Sequence, residues 1–164
     1  MDLIMLRELF EHANWANRQV FAAVRQLDDA ALDQEIVHPG AIRGLLIHLV
    51  DAHGYWLARA QESAPPLPRP ATERPDVITL FAAWEDLDRR TQEFLTGLAP
   101  ADLARTIHYA NPAGEAQAYP LRHILAHQIM HAAQHRAELA LALSRAGHSP
   151  GWLDFLVWVD SASG

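Results

Sequence analysis

"SAPPLPRPATERP", residues 63–75, holds five prolines in thirteen residues and separates two helical patterns. A stretch this rich in proline cannot continue a helix, and it favours an extended polyproline form. At about 3.1 Å per residue it reaches roughly 35–40 Å. A 20-residue helix is about 30 Å long. The connection can therefore run the length of a helix and let the helices on either side of it lie parallel. An ordinary short loop would force them antiparallel.

Outward from the linker, apolar residues recur at spacings of three and four. The second helix covers residues 41–61, with Ile42, Leu45, Leu46, Leu49, Trp56 and Leu57 on one face. The third runs from about Asp76, a plausible N-cap, to Leu98. The first covers 3–26, carried by Leu6, Leu9, Phe10, Ala13, Ala16, Val20, Ala23 and Val24. The fourth starts after Pro120 and stops at Gly147. Residues 27–40 read as a plain connection. In 99–120, "RTIHYA" and "GEAQAY" flank Asn111-Pro112 and read as a short hairpin between the third and fourth helices. "GWLDFLVWVD", residues 151–160, is a short apolar element expected to pack back on the helices. Four long helices with little strand predict an all-α fold, a single four-helix-bundle domain over 1–164.

Composition limits the function. The 164-residue chain carries a net charge of -7 with its ten histidines neutral, and it has no basic run. That argues against a nucleic-acid or anionic-membrane surface. No apolar stretch reaches the roughly 20 residues that span a bilayer. The start, Met1-Asp2-Leu3-Ile4, does not resemble a signal peptide, so a cytoplasmic location is expected. Cysteine is absent, which leaves histidine, carboxylate and water as metal ligands and requires any reactive thiol to be borrowed from a small molecule.

"HILAHQIMHAAQHR", residues 123–136, repeats histidine every fourth position. Steps of four advance about 40° around a helix, so His123, His127, His131 and His135 spread over roughly 120° and cannot share one ion. Measured from the centre of the apolar stripe, His135 lies about 50° away and His131 about 90°. His127 lies about 130° away, and His123, at about 170°, is on the solvent face. His131 and His135 therefore border the core, one turn apart, as half of a metal site. A third ligand has to come from the second helix. There the apolar stripe selects His53, near its middle, over His48, about 120° from it. Asp51 falls on the polar side. His12, His38, His108 and His148 stand alone and read as structural or exposed.

Several segments resemble the DinB/YfiT-like superfamily. They are "NWANRQVFAAVRQLDDAAL" at 14–32, "IHLVDAHGYW" at 47–56, "HQIMHAAQHR" at 127–136 and the late "LDFLVWV" at 153–159. The resemblance spans nearly the whole chain. It implies a bundle in up-down-down-up order and a divalent metal, nickel or zinc, held by His48, His131 and His135. On the helix-2 ligand it disagrees with the apolar stripe. Two departures stand out. His53 replaces a residue that is often acidic, and Ala137-Glu138 replaces a glycine-glutamine pair. The resemblance further implies a thiol S-transferase or a hydrolase that uses a low-molecular-weight thiol or water on a small-molecule substrate, and a homodimer. The alternatives are a non-catalytic metal-binding stress-response protein and a dimeric interaction module. His53, Trp56, His127 and Arg136 are candidates for the surroundings of the metal, with Trp15 and Tyr55 as further pocket walls. For Arg136, a surface salt bridge competes with a role in holding an anion.

Overall fold

The structure, a computed structural model, describes residues 2–37, 40–70 and 72–162. Four long helices dominate it: α1 (Leu3–Val24), α3 (Ile42–Ala60), α4 (Val77–Thr96) and α5 (Leu121–Arg145). Between the first two lie a five-residue helix α2 (Asp29–Asp33) and two short antiparallel strands, β1 (Glu35–Val37) and β2 (Gly40–Ala41). The plain connection expected over 27–40 is thus partly structured. Its α2 is capped by Asp28, whose Oδ1 accepts from the Ala31 N–H at 2.8 Å. The buried guanidinium of Arg43 then holds α2 by pairing with Asp29 at 2.6 Å and Asp33 at 2.8 Å. Of the lone histidines, His38 lies outside the described residues.

The long helices start where local chemistry starts them. Asp2 caps α1 through the Met5 N–H at 2.9 Å, and Asp76 caps α4 through the Thr79 N–H at 2.7 Å. The described residues of the 63–75 segment form no helix or strand, only a bend at Ser63 and a turn at Thr72. Its Arg69 is held to α3 by Asp51 at 3.1 Å, so Asp51 is an ion-pair partner rather than a merely solvated group. The hairpin forms as β3 (Thr106–Ala110) and β4 (Ala116–Pro120), paired from Thr106 with Pro120 to Ala110 with Ala116. Its turn is closed by Asn111, whose Oδ1 accepts from the N–H groups of Ala113 and Glu115. Gly114 there adopts φ +83, which a side chain would resist. The tail forms α6 (Phe155–Ala162), packed on α1 through His12, Phe155 and Trp158.

Two apolar clusters fill the bundle. One gathers Val20, Phe21 and Val24 with Ile42, Leu46, Leu80, Trp84, Leu139 and Leu143. The other gathers Leu3, Leu6 and Phe10 with Leu95, Leu103, Ile107, Leu121, Ile124 and Leu125. Between them in sequence, on every long helix, stand polar residues turned inward. These are Asn14 and Asn17 on α1, His53 on α3, Asp88 and Thr91 on α4, and Gln128 and Arg136 on α5. The bundle thus has a polar layer between two apolar halves. Burying polar groups is costly unless they are satisfied, so the layer bears on what lies beside it.

Candidate metal centre

Beside the polar layer, α3 and α5 bring three histidines together. His48 Nε2 lies 3.1 Å from His135 Nε2, which lies 3.3 Å from His131 Nε2. One nitrogen from each ring falls within 4.8 Å of the other two, and among the described residues this is the one such group of three. His131 and His135 are one turn apart on α5, as their spacing requires. The α3 member is His48, which corrects the choice of His53 from the apolar stripe. His53 does point inward, but toward α4: its Nε2 donates to Thr91 Oγ1 at 2.8 Å, and that hydroxyl donates on to the Leu87 carbonyl at 2.8 Å. Helix α3 packs on both α4 and α5. Its buried arc is therefore wide, and the middle of the stripe marks only one of its two neighbours.

The donor set suits a divalent ion. A tetrahedral ion with Zn–N bonds of about 2.0–2.1 Å separates its ligand atoms by roughly 3.3 Å, close to the spacing seen. His135 Nδ1 donates to Glu138 Oε2 at 2.7 Å. A carboxylate only accepts, so a neutral His135 carries its proton on Nδ1 and presents the lone pair of Nε2. Burial, reinforced by the neighbouring histidines, pushes His131 down to about 4. Burial and the charge of His135 lower His48 as well. Both rings are thus kept neutral near pH 7, as coordination requires.

A cleft of about 830 Å³ opens over the cluster, walled by His48, Tyr55, Trp56, His131 and the proline segment around Leu67 and Arg69. Tyr55 and Trp56 thus wall it as expected. Trp15 instead stacks on His12, with ring centroids 5.9 Å apart. His127 is exposed, its ring 4.4 Å from Trp56 and 5.6 Å from His131. His123 is exposed on the same helix. On the inner side, a cavity of about 30 Å³ reaches His131 between Asn14, Asn17, His53, Asp88 and Gln128. Both amide atoms of Gln128 are buried without a protein partner. The space suffices for one or two waters. Arg136 is 5% exposed, and among the described residues its side chain donates to Asn17 Oδ1 at 3.4 Å. It is not a surface salt bridge, and burial lowers its pKa to about 10. Of the other lone histidines, His12 contacts the Leu153 carbonyl at 2.8 Å and His148 contacts Gln26 at 3.3 Å, while His108 is exposed on β3.

Gln128 escaped the sequence reading, as did the role of Glu138 beside His135. Glu138 carried a signal, its i,i+3 spacing from His135. Gln128 carried none, because a buried glutamine on a helix looks like a surface one.

The chain matches the model of the DinB family over residues 3–163. It belongs to the DinB family. Several solved structures share its fold, among them two Bacillus proteins. One is YfiT from Bacillus subtilis, described as a probable metal-dependent hydrolase with an unusual four-helix bundle topology. It is 19% identical, with a TM-score of 0.71 over 88% of this chain and 89% of that one. The other is a DinB-like protein from Bacillus cereus, 16% identical, with a TM-score of 0.67 over 88% of this chain and 94% of that one. No curated protein sequence matches the chain. At these identities the structural likeness establishes the four-helix-bundle fold. Among the described residues of this DinB-family chain, no helix is long and apolar enough to cross a membrane.

Proposed function

We propose that this DinB-family chain is a metal-dependent enzyme in which His48, His131 and His135 hold one divalent ion, nickel or zinc. The observation that carries the proposal is the convergence of three Nε2 atoms, one of them oriented by Glu138. Three protein ligands leave a coordination position open, as in catalytic rather than structural sites. When bound, such an ion makes a water or a thiol acidic enough to act as a nucleophile near neutral pH. The chain's own residues do the rest. Glu138 holds the Nδ1 proton of His135 and so fixes that ring's orientation. Tyr55, Trp56 and the proline segment wall the cleft. At about 830 Å³ the cleft falls within the range of small-molecule sites.

The reaction proposed is hydrolysis or thiol S-transfer. The lack of cysteine is consistent with a borrowed low-molecular-weight thiol. The same proposal takes the bundle as up-down-down-up. Supporting it, Arg7 donates to the Leu95 carbonyl and Arg18 pairs with Glu85, so α1 and α4 meet in opposite order. Arg43 contacts Pro75 and His53 contacts Thr91, so α3 and α4 meet in the same order.

The test is to assay the metal-loaded protein against activated esters and epoxides, with and without glutathione. Turnover without thiol identifies a hydrolase, and turnover that requires thiol identifies a transferase. Tight metal binding with no turnover in either arm would overturn the enzymatic proposal and leave a metal-binding protein.

A further inference from the structure

Beyond the small inner cavity, Trp56 is shared by two larger recesses. One is the cleft over the histidine cluster. The other, of about 410 Å³, lies beneath the hairpin and is lined by Trp56, Tyr109, Tyr119, His123, Ile124 and His127. Its hairpin wall is firmly placed. Ile107 pairs with Tyr119, and the alternation of strands puts Ile107, Tyr109 and Tyr119 on one face. Ile107 is fully buried and anchors that face. From α3, Arg59 donates to the Ala110 carbonyl at 2.9 Å, and its guanidinium lies 4.8 Å from the ring centres of both Tyr55 and Tyr109.

The lining indicates what would fit. Three of the six residues are aromatic, and none is Asp, Glu, Lys or Arg. Aromatic walls can also bind cations through their ring faces. Here, however, Arg59 already sets a positive charge against Tyr109, and no carboxylate lines the recess. No Lys or Arg lines the recess for an anion either, and the guanidinium of Arg59 is engaged by the Ala110 carbonyl and the rings of Tyr55 and Tyr109. A neutral planar ring can meet these walls edge-to-face, as they already meet one another. Trp56 and Tyr109 are 6.3 Å apart at 89°, and Trp56 and His127 are 4.4 Å apart at 68°. The volume lies within the range of small-molecule sites. The recess also adjoins the cluster, because His127 is 5.6 Å, ring to ring, from His131.

We propose that this recess is a recognition subsite for a neutral, planar aromatic group of the substrate, placing the substrate's reactive end at the three-histidine cluster. The catalytic part of this statement rests on the proposed function, whereas the binding part does not. The test titrates the full-length protein with p-cresol, followed by NMR shifts of the Trp56 indole and by calorimetry. Cyclohexanol, benzoate and tetramethylammonium serve as contrasts. Saturable p-cresol binding that shifts Trp56 is expected, with each contrast compound at least tenfold weaker. Tyr119 is 42% exposed, so its removal spares the fold. Tyr119→Ala should weaken p-cresol roughly two- to tenfold, the worth of one aromatic contact, and Tyr119→Phe should restore it. Cyclohexanol binding as tightly as p-cresol, a preference for tetramethylammonium, or unchanged affinity in Tyr119→Ala would each overturn the subsite. His135→Ala keeps the two proposals apart: p-cresol should still bind it while the metal is lost. Failure of p-cresol to bind a wild-type protein that holds metal would sink the subsite alone.

Discussion

His48 and His53 share one helix and face different neighbours. His48 meets His135 and His131 on α5, and His53 meets Thr91 on α4. If the cluster holds the metal, the two positions separate cleanly on mutation. Protein purified without chelator should carry about one divalent ion per chain by elemental analysis. His48→Ala and His135→Ala should empty the site. His53→Ala and His123→Ala should leave it filled, with His53→Ala costing about 1–3 kcal/mol of packing. A full site in His48→Ala with an empty one in His53→Ala would reverse the assignment. Glu138 tests the same site from outside it. Removing the carboxylate that orients a ligand histidine typically costs ten- to a hundredfold in affinity. Glu138→Ala should therefore bind zinc at least about tenfold more weakly in a competition with a chelating dye, and unchanged affinity would show that the His135–Glu138 bond is incidental.

At the scale of elements, periodicity made the four long helices legible, because each buries one face against the same core. Turn chemistry made the hairpin legible through Asn111-Pro112. Helix α2 and the β1–β2 pair were not legible. They are short, and α2 is held from the next long helix by the buried Arg43, which a helix pattern marks as a surface residue. The polar layer was hidden for the same reason. Asn17, Asp88, Gln128 and Arg136 are residue types usually exposed, and only packing reveals them as buried. In the cluster, the pair on α5 followed from angles alone, while the α3 member did not, because angles cannot say which of two neighbours a side chain faces. The caps offer an independent check at this scale. Asp76 Oδ1 is the side-chain acceptor at the start of α4, directly after the proline segment. Asp76→Ala should cost about 1 kcal/mol, seen as a fall of roughly 2–4 °C in the thermal midpoint. An unchanged midpoint would mean that the proline segment alone sets the helix start.

The whole molecule raises two further questions, its assembly and its response to acid. Helix α6 buries none of its own residues: its Leu156 is 72% exposed, and Trp152 just before it is 80% exposed. Apolar surface of this kind is consistent with the proposed homodimer. Light scattering should then give twice the chain's 18.3 kDa, and a strictly monomeric mass at high concentration would contradict it. The response to acid follows from the polar layer. Burial, with the charge of Arg90 adding to it, pushes His53 down to about 4. An unfolded histidine titrates near 6.5. Between these values the unfolded chain binds a proton that the folded chain refuses, so stability rises with pH across that window. The contribution of His53 is fully present above about 6.5 and is lost as the pH falls toward 4, amounting to at most about 3 kcal/mol. His48 and His131 are lowered too and act in the same direction. Asp88 opposes them: burial raises its pKa, so the folded chain takes up that proton more readily than the unfolded chain, and acid relieves part of its cost. Urea unfolding of chelator-treated protein should therefore show a lower midpoint at pH 5 than at pH 7. His53→Asn, which removes the titrating group and keeps a polar side chain beside Thr91, should lose less over the same interval. Equal losses in the two proteins would show that protonation of His53 is not what couples the fold to pH.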